Sequence, residues 1–160
     1  MDQKKYTFQE FRDIIARLRA EDGCPWDREQ THASLETCMV NEAAELVSAI
    51  RIYDKTGSYE NMCEELGDVL LQVMMHAQIA EEEGLFTIDD VLTVVSEKMI
   101  RRHPHVFGTA KADTSEAVLR NWDEIKKKEK EDKRMITPSK AETESVADEI
   151  KEAIAKSGSN

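Results

Sequence analysis

Cysteine, proline, glycine and aromatic side chains are all scarce in this chain of 160 residues, which has 3 Cys, 3 Pro, 6 Gly and 6% aromatics. Cys24, Cys38 and Cys63 are odd in number and form no C-x-x-C. That excludes a disulfide framework and a zinc knuckle, and it predicts reduced thiols in a cytoplasmic protein. So few glycines and prolines do not suit a many-turned β protein. No uncharged run approaches the roughly 20 residues of a membrane span. The first six residues lead into no apolar stretch, so no secretory signal is expected. Basic charge is also short: 22 Lys+Arg face 33 Asp+Glu, a net charge of −11. This disfavours nucleic-acid polymers and anionic membranes, both of which need basic surface.

The chain is 40% hydrophobic, enough for one buried core. The pattern is helical almost throughout, with no strand signal and no repeat. Thr7-x-x-Glu10 is a capping box ahead of Phe8, Phe11, Ile14, Ile15 and Leu18 at helical spacing. Residues 20–30 form a break holding Gly23 and Pro25. Long helices are expected from about Thr31 to Asp54, stopped by Gly57, and from about Tyr59 to Glu83, stopped by Gly84. The short link between them predicts an antiparallel pair. Thr87-x-x-Asp90 starts a fourth helix, ended by His103-Pro104-His105. Asp113-x-x-Glu116 opens a fifth, which runs through Trp122 and fades into Lys126–Glu131. The fold class is all-α, an antiparallel helical bundle. Residues 1–132 are expected to form the domain. Residues 133–160 read as an acidic, polar tail with room for a loose helix near Val146–Ile154.

Carboxylates interrupt the apolar pattern. On the second helix the stripe runs Leu35, Met39, Leu46, Ala49/Ile50 and Tyr53, and Glu42 occupies the gap in it. Glu45 follows at i+3. On the third helix Glu65 and Asp68, also at i, i+3, lie beside Met62, Leu66, Val69/Leu70, Val73 and Ala77. Four converging carboxylates would need a cation, and oxygen-only ligands favour Mg²⁺, with Mn²⁺ as the substitute. Spacing alone fits equally well with acids that border the stripe and face water. A di-iron bundle would need two Glu-x-x-His pairs. The chain offers one, Glu29-x-x-His32, away from the acidic seam.

Residues 98–112 hold Lys98, Arg101, Arg102 and Lys111 and no acid. A local +4 in a chain of net −11 suits a polyphosphate, beyond the one or two cations that a helix C-terminus itself would attract. No glycine-rich phosphate loop is present. Acids, cation and basic strip together suggest a triphosphate neutralised by metal and attacked by metal-activated water.

Several runs carry a family resemblance. They are Cys24-Pro25-Trp26-Asp27 with Gln30-Thr31; Asn41-Glu42-Ala43-Ala44-Glu45; Glu64-Glu65-Leu66-Gly67-Asp68-Val69-Leu70; Lys98 with Arg101-Arg102-His103-Pro104-His105-Val106-Phe107; and Asn121-Trp122. In this order, from about residue 8 to 130, the chain resembles the MazG family of all-α nucleoside triphosphate pyrophosphohydrolases. The resemblance implies hydrolysis between the α and β phosphates to NMP and pyrophosphate with Mg²⁺, in a homodimer. It implies Glu42, Glu45, Glu65 and Asp68 as metal ligands, and Lys98, Arg101 and Arg102 as phosphate contacts. Trp122 would lie at the nucleotide or serve as a core anchor. Trp26 is expected to pack the loop between the first two helices. Asn41 stands where the family usually has the first of two adjacent glutamates, and it is assigned to substrate. The family's apolar and basic C-terminal helix is not visible after residue 130. The alternatives are a nucleotide-binding or regulatory module impaired through Asn41, a more specific dUTP/dCTP or phosphoribosyl-ATP pyrophosphohydrolase, and a plain helical dimerisation domain.

Overall fold

The computed structural model describes residues 4–132 and 136–157, with side chains for 4–129 and 136–152. Every regular element among them is a helix. The chain divides into two units, Met1–Ile88 and Asp89–Asn160.

The first unit holds α1 (Phe8–Arg19), α2 (Pro25–Glu29), α3 (Glu36–Thr56) and α4 (Glu60–Glu82). The capping box opens α1 as its sequence predicts. Thr7 N–H donates to Glu10 Oε2 at 2.9 Å, and Glu10 N–H donates to Thr7 Oγ1 at 3.2 Å. Gly57 (φ 77°) and Gly84 (φ 69°) end the two long helices in the left-handed conformation, which costs a residue without Cβ nothing.

Two local expectations are corrected. The helix expected from Thr31 begins at Glu36. Thr31 and Ser34 exchange reciprocal side-chain-to-backbone hydrogen bonds instead, at 2.9 and 3.2 Å, and so hold a turn. The break at 20–30 contains the short helix α2, whose Cys24, Asp27 and Gln30 are half-buried at i, i+3 spacing. That phase turns Trp26 outward, 59% exposed, so it does not pack the loop.

α3 packs on α4, and α1 packs on both α2 and α4. The core is Ile15, Leu35, Ala49, Met74, Met75, Ala77, Ile79, Ala80 and Ile88, centred on the second half of α4. Arg19 ties three elements to it. Its guanidinium is 6% exposed and grips Glu82 with Nε at 2.9 Å and Nη2 at 2.7 Å. It also caps the carbonyls of Asp27 and Gln30.

His32 and His76 form a second tie, 44 residues apart in sequence. Their Nδ1 atoms are 2.8 Å apart, their ring centres 5.1 Å apart, and their planes within 1° of parallel. The two separations differ by about one imidazole diameter, so the rings meet edge to edge rather than face to face. An N–H···N bond of this kind needs one Nδ1–H and one bare Nδ1. Burial, followed by the charge of His32, lowers the His76 pKa below 6.5, against an opposing pull from Glu36. Glu83 lies 3.9 Å from His32 Nε2. The folded state therefore binds fewer protons here than the unfolded chain, so the stabilisation is full above 6.5 and is lost as pH falls from there through the lowered His76 pKa. Urea midpoints should drop as pH falls below 6.5, and the His76→Gln variant should show a flatter profile. An identical slope in the variant would remove the pair as the cause.

The second unit holds α5 (Ile88–Arg102), whose first residue closes the first unit, α6 (Pro104–Phe107), α7 (Ser115–Asp132) and α8 (Lys140–Ser157). Pro104 sits in the first turn of α6 and separates it from α5. The cap of α7 is Thr114 rather than Asp113: Ala117 N–H donates to Thr114 Oγ1 at 3.2 Å. The C-terminal segment is more helical than its composition suggests, because α8 spans more than the stretch near Val146–Ile154.

Candidate metal and phosphate site

Glu42 and Glu45 project from α3, and Glu65 from α4. One carboxylate oxygen from each lies within 4.8 Å of the other two. The α3–α4 hairpin brings them together because i, i+3 positions share a helix face and the two helices are packed side by side. Glu65 is the deepest, 8% exposed. Its Oε1 accepts from Asn61 Nδ2 at 2.7 Å, while its buried Oε2 has no hydrogen-bond partner. A buried carboxylate oxygen without a partner is costly, and it is the donor a hard cation takes. Three carboxylates of this geometry fit Mg²⁺ or Mn²⁺ by their chemistry.

Asp68 lies outside this trio. It lines an apolar groove with Tyr6, Phe8, Phe11, Ile14, Leu70 and Leu71. Its charge nevertheless reaches the cluster. Burial raises the Glu42 pKa above its usual value, with Asp68, Glu45 and Glu65 adding repulsion in that order. Asn41, one position before Glu42, is exposed and has no side-chain hydrogen bond among the described residues.

The apolar stripe is rotated from its expected phase. Glu65 and Gln72 lie on the buried face of α4, whereas Leu66 is 53% exposed. On α3 only Ala49 is buried, and Ile50 and Tyr53 are exposed. The acid read as bordering the stripe therefore lies inside it.

In the second unit, α5 ends on Lys98, Arg101 and Arg102. Lys98 is half-buried and makes no ion pair among the described residues. Arg101 and Arg102 both pair with Glu129 of α7, each at 2.6–2.7 Å. Their hydrogen bonds and charges, those of Arg102 first, pull the Glu129 pKa down to about 2. Trp122 is half-buried. The His103 ring meets its edge at 4.9 Å and 86°, and the Arg102 guanidinium lies 5.5 Å from its ring centre. The indole is thus engaged within its own unit, with cation–π geometry toward Arg102.

Residues 30–107 match the MazG nucleotide pyrophosphohydrolase domain. The chain belongs to the MazG family. It is 47% identical over 134 residues to the nucleoside triphosphate pyrophosphohydrolase/pyrophosphatase MazG of Thermotoga maritima, covering 84% of this chain and 49% of that protein. It is 43% identical over 121 residues to the nucleoside triphosphate pyrophosphohydrolase of Escherichia coli K12, with 75% and 44% covered. A Bacillus subtilis relative, protein YabN, is 55% identical over 125 residues, with 78% and 25% covered. The chain thus spans between a quarter and a half of the length of these relatives.

The MazG match covers the acidic trio, Asp68 and the basic end of α5, and stops before Trp122 and Glu129. Three buried or paired polar residues were not evident from sequence. Asn61 fixes one oxygen of Glu65, and its only signal is its i−4 position. Glu129 sits in a lysine-rich run that reads as solvated. Gln72 shares the buried face of α4 with Glu65, and its Oε1 is also without a partner. No helix of the described residues is long and apolar enough to cross a membrane.

Proposed function

We propose that this MazG chain hydrolyses nucleoside triphosphates between the α and β phosphates, giving NMP and pyrophosphate, with Mg²⁺ or, in its place, Mn²⁺. The observation that carries the reading is Glu65, whose buried Oε2 has no partner and whose carboxylate belongs to a set of three within 4.8 Å of one another. The activities for which the Thermotoga and Escherichia relatives are named support it.

Glu42, Glu45 and Glu65 would hold the cation, and Asp68 adds negative charge beside them. When bound, the cation supplies positive charge against the phosphate oxygens and activates water for attack. Asn61 keeps Glu65 oriented. Lys98, Arg101 and Arg102 bind the phosphates, and Trp122 presents an aromatic surface beside Arg102. Asn41 offers a neutral amide to substrate where a second glutamate would repel it.

The working unit is read as a homodimer. Val47, Ile50 and Tyr53 on α3, with Leu66 and Leu70 on α4, are all exposed in the single chain. Apolar surface of that extent suits a partner helix pair. Residues 1–132 are assigned to the catalytic domain and 133–160 to a tail that includes α8. Three free cysteines fit a reducing, cytoplasmic setting.

The test is a panel of ribo- and deoxynucleoside triphosphates, dUTP, dCTP and phosphoribosyl-ATP, incubated with the protein and Mg²⁺. Pyrophosphate should appear, orthophosphate should not, and chelation should stop the reaction. Saturable Mg²⁺-dependent binding without turnover would leave the impaired binding module. Neither binding nor turnover would leave a dimerisation domain.

A further inference from the structure

Glu129 belongs to Lys126-Lys127-Lys128-Glu129-Lys130-Glu131, a run that reads as a solvated helix end. Its side chain is nonetheless only 12% exposed. Oε1 accepts from Arg101 Nε at 2.7 Å, and Arg101 Nη2 lies 2.7 Å from it as an ion pair. Oε2 accepts from Arg102, with Nε at 3.1 Å and Nη2 at 2.6 Å. One carboxylate is thus flanked by two guanidinium groups, and each presents the same Nε/Nη2 edge. The triad keeps a net charge of +1. Among the described residues neither Nη1 has a hydrogen-bond partner.

A tie between α5 and α7 needs only one arginine. Two arginines on a single acid leave surplus charge and unused N–H groups, which is the equipment for a further anion. A guanidinium has more than one edge for forked contacts, so it can serve an acid and a phosphate together. Long side chains lose much rotamer freedom when they bind, and a guanidinium already fixed by an acid has less left to lose. The depressed pKa of Glu129 keeps it charged throughout the neutral range. Displacing so tightly paired a carboxylate would cost more than adding a phosphate at the unused ends.

We infer that Glu129 is a positioning residue: it pins the Nε/Nη2 edges of Arg101 and Arg102 and leaves their Nη1 ends for a phosphate of the substrate. This rests on the proposed pyrophosphohydrolase reading and deepens it.

Glu129→Gln keeps the shape and removes the charge. Glu129→Asp keeps the charge and shortens the reach. Two quantities are measured: steady-state pyrophosphate release from the best triphosphate, and calorimetric binding of inorganic tripolyphosphate. Glu129→Gln should raise KM and the tripolyphosphate Kd about 5- to 20-fold, with kcat changed less than about twofold. Glu129→Asp should recover part of the loss. In an Arg101→Ala/Arg102→Ala background, Glu129→Gln should add less than about twofold, since its effect passes through the arginines. Unchanged KM and Kd, or a full additional loss in that background, would overturn the inference. So would tighter binding by Glu129→Gln, which would make the acid a competitor. Should Glu129→Gln fail to fold, Glu129→Asp must itself weaken tripolyphosphate binding, and wild-type affinity would overturn the inference. Absence of pyrophosphate release by the wild-type protein would sink the enzyme reading. The tripolyphosphate measurement would still decide the role of Glu129.

Discussion

Glu42→Gln should lower pyrophosphate release by at least about 100-fold while making the metal-free protein more stable. Changing a residue that merely orients a metal ligand already costs about 10- to 100-fold, so loss of a ligand sets a higher floor. The opposite sign for stability follows from electrostatics. Burial and the charges of Asp68, Glu45 and Glu65 all raise the Glu42 pKa. The charged form is therefore strained in the folded chain, and a neutral amide of equal size relieves that strain. Its raised pKa also fixes the pH dependence. The penalty for folding with an ionised Glu42 is present above its folded pKa and fades as pH falls through it. Cation binding needs the ionised form, so metal affinity should fall in the same window. Thermal unfolding with and without Mg²⁺ reads both effects. Mg²⁺ should raise the melting temperature of the wild-type chain and leave that of Glu42→Gln nearly unchanged. Equal shifts in both would remove Glu42 from the metal site.

Arg102→Lys should raise KM about tenfold, although it preserves the charge. Arg102 makes two N–H contacts to Glu129 and also lies over the Trp122 ring. An ammonium cannot maintain a forked contact along one edge, stack on an indole and offer a third N–H in the same plane. The substitution should also change Trp122 emission, because the cation beside the indole moves. Trp26 is far in sequence and in the other unit, so a Trp26→Phe background isolates that signal. A Lys variant with wild-type KM would mean that Arg102 serves only to hold α7.

Some helix boundaries that rest on local chemistry were legible in the sequence, though the starts read at Thr31 and Asp113 were not those formed. Thr7 and Glu10 formed their capping box, and Gly57 and Gly84 ended the two long helices. The approach of Glu42 and Glu45 to Glu65 was legible too, because i, i+3 spacing on an antiparallel pair leaves few other arrangements. The depth of Glu65 was not. Both α3 and α4 carry more apolar residues than one buried face can hold, so periodicity could not show that Leu66 faces outward and Glu65 inward. Contacts between distant residues also escaped. Glu129 reaches Arg102 across 27 positions, and His32 meets His76 across 44. Neither pair leaves a local pattern. α2 was missed because five residues are too short for a helical period to register.

The α3–α4 hairpin has a kinetic consequence. Every acid assigned to the cation lies between residues 42 and 65, on two helices joined by Gly57, Ser58 and Tyr59. Bringing them together costs only the closure of a short loop, and such local contacts form early in folding. Their mutual repulsion therefore acts when the hairpin first zips, before α1 covers it. At the proposed cation site, a cation present at that moment would offset this repulsion, and so would speed assembly as well as hold the finished protein.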